Sequence, residues 1–116
     1  MTVTIYHNPR CSKSRQALEL ITRRGLDPVV VEYLKQPPDE NTLAGILEKL
    51  GMTALELMRS QEPDFVAART RLAKMTERER IRWLSGHPAV IERPIVISAG
   101  RARVGRPPEA VLEILP

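Results

Sequence analysis

Apolar and polar positions change rhythm several times along the chain. Residues 3–6 form a short apolar run that reads as a buried strand. His7, Asn8 and Pro9 end it, because Pro9 carries no N–H and disfavours helical backbone at Asn8. From Ser12 the spacing is helical: Ala17, Leu18, Leu20 and Ile21 recur on one face until Gly25 stops the pattern. Residues 28–34, PVVVEYL, are a continuous β-branched run that predicts an interior strand. Together these segments predict a β-α-β unit with parallel strands.

After Pro37-Pro38 the spacing is helical as far as Gly86-His87-Pro88. A helix over 39–50 puts Leu43, Ile46, Leu47 and Leu50 on one face, with Asp39 or Asn41 as its cap and Gly51 as its stop. Further helices are expected over 53–59 and 64–74. Thr76-Glu77-Arg78-Glu79 has the spacing of a capping box opening a last one to Ser85. Residues 94–98 and 102–104 read as strands joined by a turn at Gly100, an antiparallel hairpin. Pro107 or Pro108 then starts a final helix over 109–115, since proline is tolerated in a first helical turn. The order is β-α-β, helical block, β-β-α, an α/β arrangement in one domain of 116 residues.

With 42% apolar residues the chain can bury a modest core, yet no apolar run approaches the ~18–20 residues of a membrane span. The start MTVTIYHNPR has neither the basic opening nor the apolar stretch of a signal peptide, so a cytoplasmic, membrane-free protein is expected. The formal charge of +4, from 18 Lys+Arg against 14 Asp+Glu, suits nucleic acid, an acidic surface or a small oxyanion. Tyr6, Tyr33, Phe65 and Trp83 are the only aromatics and are scattered, which argues against single-stranded nucleic acid, a ligand gripped by stacking.

The chemistry concentrates at Cys11, the only cysteine, placed where the first strand gives way to the first helix. Unpaired N–H groups and the positive end of the helix dipole favour a thiolate there, and the thiolate is the nucleophile. Arg10, Lys13 and Arg15 add positive charge nearby. No internal disulfide can form, so any redox cycle at Cys11 takes its second thiol from another molecule. Arg59, Arg93 and Arg106 fall at element ends, where side chains from distant segments converge, whereas Arg69, Arg78 and Arg82 are mid-helix charges of a solvent face. Guanidinium forks match tetrahedral oxyanions and also favour a thiolate. The Cys-x5-Arg loop of cysteine phosphatases is absent, because the position it needs is Ala17.

The run HNPRCSKSR at 7–15, Met58-Arg59, ERPIV at 92–96 and GRPPEAVLEIL at 105–115 together resemble the glutaredoxin-dependent arsenate reductase family, closest to its short bacterial members. The resemblance covers nearly the whole chain. It implies a thioredoxin-like fold with a four-stranded mixed sheet, as one domain over 1–116 with a helical insertion at about 39–87. It implies that Cys11 attacks arsenate to form a covalent adduct, that Arg59, Arg93 and Arg106 hold the oxyanion, and that Pro94 is the cis-proline beside the cysteine. His7 matches a histidine held to tune the cysteine, and Ser14 is placed to stabilise the thiolate through its hydroxyl or its N–H, although capping or a local carbonyl contact would equally explain the two. Glutathione is the implied co-substrate and glutaredoxin the implied partner, with no metal and no bound cofactor.

One position departs from the family. Ser12 stands where better-characterised arsenate reductases of this type have glycine directly after the cysteine. Two other readings stay open. One is a general glutathione-dependent thiol oxidoreductase whose arginines recognise carboxylates. The other is a partner of RNA polymerase like the Spx-type regulators, whose switch is Cys-x-x-Cys where this chain has Cys-Ser-Lys-Ser.

Overall fold

Four strands, β1 (Val3–His7), β2 (Val29–Glu32), β3 (Ile95–Ser98) and β4 (Arg101–Val104), form one mixed sheet in the computed structural model, which describes residues 2–116. Their order is β2-β1-β3-β4. Strand β1 pairs in parallel with β2, from Thr4↔Val29 to His7↔Glu32, and antiparallel with β3, from Val3↔Ser98 to Tyr6↔Ile95. Strand β4 runs antiparallel to β3, with Ile95 opposite Val104. This register gathers the ends of β1, β2 and β4 and the entrance to β3 at one end of the sheet.

The described chain divides into two compact units. One holds the sheet, from the residues up to Gln36 and from Arg93–Pro116; the other is Pro37–Glu92. In the sheet unit, Val3 and Ile5 of β1 and Val96 of β3 pack with Ala17 and Ile21 of helix α1 (Ser12–Arg23) and with Val111, Ile114 and Leu115 near the C-terminus. Burying such side chains contributes on the order of 1.5–3 kcal/mol each. This core anchors α1 against the sheet and so fixes where the helix starts. The hairpin turn is made by Ala99 (φ 53°) and Gly100 (φ 75°), both left-handed, as a two-residue turn between twisted strands requires.

Two expectations for this unit change. The run 28–34 is not an interior strand: β2 covers only Val29–Glu32 and lies at the sheet edge, with Val29 52% and Val30 43% exposed. Its β-branched composition satisfies the parallel ladder with β1, but β3 takes the other side of β1, and among the described residues no strand pairs beyond β2. The final helix is a 3₁₀ segment, Pro108–Glu113, instead of an α-helix over 109–115. Its three-residue repeat is closed by Ala110 N–H to Pro107 O at 3.0 Å and Ile114 N–H to Val111 O at 3.3 Å, which serves a short segment holding Val111 and Ile114 in the core.

The second unit is helical. Helix α2 (Glu40–Leu50) is capped by the Asp39 carboxylate, which accepts from Thr42 N–H at 2.8 Å, and ends at Gly51 with φ 68°. Helix α3 (Pro63–Lys74) follows, and α4 (Glu77–Ser85) opens on a complete capping box: Glu79 N–H donates to Thr76 Oγ1 and Thr76 N–H to Glu79 Oε1. The helix expected over 53–59 is reduced to a 3₁₀ turn at Leu55–Leu57. Met58 instead forms a β-bridge with Ile91, Arg59 N–H donates to Val90 O at 2.7 Å, and Glu92 N–H donates to Leu57 O at 2.8 Å. These bonds to a distant segment take the backbone groups a helix would have used.

Candidate active site

Cys11 is the residue that caps α1, with extended backbone (φ −94°, ψ 122°). The loop before it is built by its own polar groups. Asn8 is buried; its carbonyl accepts from Cys11 N–H at 3.0 Å and its Oδ1 accepts from Arg10 N–H at 3.0 Å. Asn8 is thus a structural determinant of the loop that the sequence reading passed over; its position before Pro9 in an Asx-type turn was the available signal. Ser12 opens α1 with no left-handed backbone, so glycine is not required at this position.

Burial raises the Cys11 pKa, but the backbone N–H groups of Ser14 and Lys13 and the charges of Arg106 and Arg93 outweigh it, and the net shift is downward. The thiol itself makes no cap hydrogen bond, so the helix start acts on the sulfur through its amide dipoles. Arg106 Nη2 lies 3.7 Å from Cys11 Sγ, and Arg106 Nε donates to Arg93 O at 2.9 Å, which aims the guanidinium. The Arg93-Pro94 and Arg106-Pro107 peptide bonds are both cis.

His7 and Ser14 form a buried pair behind the cysteine. Ser14 Oγ lies 2.6 Å from His7 Nδ1 and accepts from Asn8 N–H at 3.0 Å. Burial lowers the His7 pKa below its ordinary value; Glu32 raises it, Arg15 lowers it, and the net shift is downward. A neutral His7 thus shares one hydrogen bond with the Ser14 hydroxyl through Nδ1. The Ser14 hydroxyl is spent on His7 and Asn8, and it is the Ser14 N–H that acts on Cys11.

The sign of the pH dependence follows. With the folded pKa below about 6.5, the unfolded chain takes up the proton first as pH falls, so this contribution to stability is full above about 6.5 and is lost through the folded value. Urea midpoints of the wild type are expected to drop between pH 7.5 and 5.5, and the drop to shrink in His7→Asn, which keeps an acceptor near the Nδ1 position without the titration.

Gly105 is a second residue the sequence reading missed. Its N–H donates to Pro94 O at 2.8 Å, and a Cβ on it would lie 2.7 Å from Pro94 Cγ and 3.3 Å from Val111 Cγ1. The absent side chain is what lets the Pro94 loop and the Arg106 loop close together; a glycine at a predicted strand exit was the only signal in the sequence. Gly105→Ala is expected to cost about 1–3 kcal/mol by overpacking, and to slow Cys11 alkylation because Arg106 is displaced, measured by urea unfolding and iodoacetamide kinetics.

Cys11, His7, Ser14, Arg93, Pro94 and Arg106 thus all belong to the sheet unit, at one end of the sheet. Arg59 belongs to the helical unit, where its guanidinium pairs with Glu62 and Glu92, each at 3.4 Å. No cluster of metal-ligating side chains occurs among the described residues.

A mixed four-stranded sheet, a cysteine at a helix start and a proline loop beside it define a thioredoxin-like thiol protein. The ArsC family model matches residues 6–114, and the chain belongs to the ArsC family. It is 47% identical over 114 residues to the uncharacterized protein YfgD of Escherichia coli, covering 97% of this chain and 96% of that protein. It is 41% identical to an arsenate reductase of Haemophilus influenzae, covering 99% and 100%. The solved arsenate reductase of Vibrio cholerae superposes with a TM-score of 0.94 at 40% identity, over 99% of this chain and 98% of that one.

Proposed function

We propose that the protein is a cytoplasmic arsenate reductase that draws its electrons from glutathione and glutaredoxin. The observation that carries this reading is the Arg106 guanidinium held by the Arg93 carbonyl at 3.7 Å from the Cys11 sulfur, a cationic fork beside a favoured thiolate. The arsenate reductases among its relatives support the substrate. In the proposed cycle the Cys11 thiolate attacks arsenic: an S–As bond forms, an As–O bond breaks, and the oxygen leaves as water with protons from solvent. A glutathione thiolate then attacks the Cys11 sulfur. The S–As electron pair stays on arsenic, which passes from As(V) to As(III) and departs as arsenite, leaving a Cys11–glutathione disulfide. Glutaredoxin takes the glutathione from Cys11, and a further glutathione regenerates glutaredoxin. Two thiols become one disulfide and one water per arsenate reduced.

Arg93 and Arg106 bind the oxyanion in this cycle and offset its charge as the thiolate approaches. The family resemblance gives Arg59 the same task, and Arg59→Ala tests it through the arsenate KM. The deciding experiment is intact mass after incubation with arsenate and glutathione. An arsenic or glutathione adduct on Cys11, dependent on arsenate, is expected. A protein that gains neither, while a known arsenate reductase does so in parallel, overturns the reading. Glutathionylated peptide reduced in place of arsenate would make it a general thiol oxidoreductase.

A further inference from the structure

The loop of Cys11 has a second charged flank. A cavity of about 230 Å³ is lined by His7, Asn8, Pro9 and Arg10 on one side and Glu32, Leu34 and Lys35 on the other. It sits at the same end of the sheet as the arginines, but toward β2, whereas Arg93 and Arg106 come from the β3 and β4 side; β1 runs between. A turn closed by Lys35 N–H and Gln36 N–H on the Glu32 carbonyl, both at 2.9 Å, shapes the far wall.

We propose that this cavity binds the γ-glutamyl end of glutathione, an inference that rests on the thiol-dependent reading above and locates its co-substrate. The charges match: Arg10 and Lys35 receive the α-carboxylate, Glu32 receives the α-ammonium, and Leu34, 46% exposed, lies along the methylenes. Glu32 and Lys35 face each other at 3.9 Å, both exposed, a pair loose enough to exchange partners for a zwitterion. The volume is below that of a pocket enclosing a whole drug-sized ligand, so it holds one end and leaves the thiol outside.

Reaction geometry favours the same side. Displacement at sulfur proceeds in line, with the attacking thiolate opposite the bond that breaks. In the proposal, arsenic held by Arg93 and Arg106 takes the β3 and β4 side of the Cys11 loop, which leaves the β2 side, where the cavity lies, to the attacking thiolate. In this step the new S–S bond forms as the S–As bond breaks, and the pair goes to arsenic, as in the cycle above.

The test titrates the ¹⁵N-labelled protein with S-methylglutathione, which binds but cannot react. Amide shifts confined to residues 7–10 and 32–35 are expected. In steady state, Lys35→Glu is expected to raise the glutathione KM several-fold to about tenfold and leave the arsenate KM in place. Cysteinylglycine, which lacks the γ-glutamyl group, is expected to serve wild type and variants equally. Lys35→Gln repeats the measurement should charge reversal disturb folding. Shifts elsewhere, or an unchanged glutathione KM with glutathione-driven turnover intact, overturn the cavity assignment alone. Wild-type turnover that 2-mercaptoethanol supports as well as glutathione overturns the glutathione reading, and the cavity assignment with it.

Discussion

Cys11→Ser is expected to abolish arsenate-dependent turnover and the covalent adduct together. Serine keeps nearly the same volume at a half-buried position, so the loop bonded through Asn8 and the cap of α1 should persist, with an unchanged circular dichroism spectrum and melting temperature. What disappears is the ionisable group. The N–H dipoles of Ser14 and Lys13 and the charges of Arg106 and Arg93 favour a thiolate, but no such environment ionises a serine hydroxyl near neutral pH. With no other cysteine in the chain, nothing replaces the proposed nucleophile. Arsenate binding through the untouched arginines is expected to survive. Turnover by the serine variant at even a tenth of the wild-type rate would show that the chemistry lies elsewhere.

Arg106→Ala carries the second largest expected effect, because in the proposed cycle this one side chain serves the nucleophile and the oxyanion together. Its Nη2 at 3.7 Å from the sulfur stabilises the thiolate, so removal moves the Cys11 pKa upward, toward the ordinary thiol value of about 8.5. Iodoacetamide alkylation should slow most below that pH and approach the wild-type rate above it, where both thiols are ionised. The loss of a preorganised donor to the developing charge is expected to cost about 10²–10³-fold in kcat/KM for arsenate, beyond what the pH shift explains. Arg106→Lys separates the two contributions. It restores positive charge, and so much of the pKa, but not the planar fork, nor an Nε–H for the Arg93 carbonyl. Equal kcat/KM in wild type and Arg106→Ala would remove Arg106 from the site.

The corrected elements show where local pattern stops being informative. The capping box at Thr76 and the Asp39 cap formed as the spacing predicts, because each is closed by bonds within one helical turn. The segment 53–59 forms only a short turn because its helical spacing competes with backbone bonds to Val90 and from Glu92, more than thirty residues away in sequence. The run 28–34 departs from an interior strand for a related reason. A β-branched sequence records that a strand pairs well, whereas its place at the centre or edge is set by which strand takes the other side of β1.

The same boundary runs through the site. Cys11 at a strand-to-helix junction, and the prolines beside Arg93 and Arg106, were legible because each is a local arrangement of a few residues. The Ser14 hydroxyl turned toward His7, the Gly105 gap that admits the Pro94 ring, and the Arg93 carbonyl that aims Arg106 at the sulfur were not. By itself the sequence determined where the single cysteine falls, the element order and the arginines available to it, since composition and short-range spacing encode these. Only the tertiary structure decided which of those groups touch, because contacts between residues 11, 93 and 106 exist only once β1, β3 and β4 pair in register.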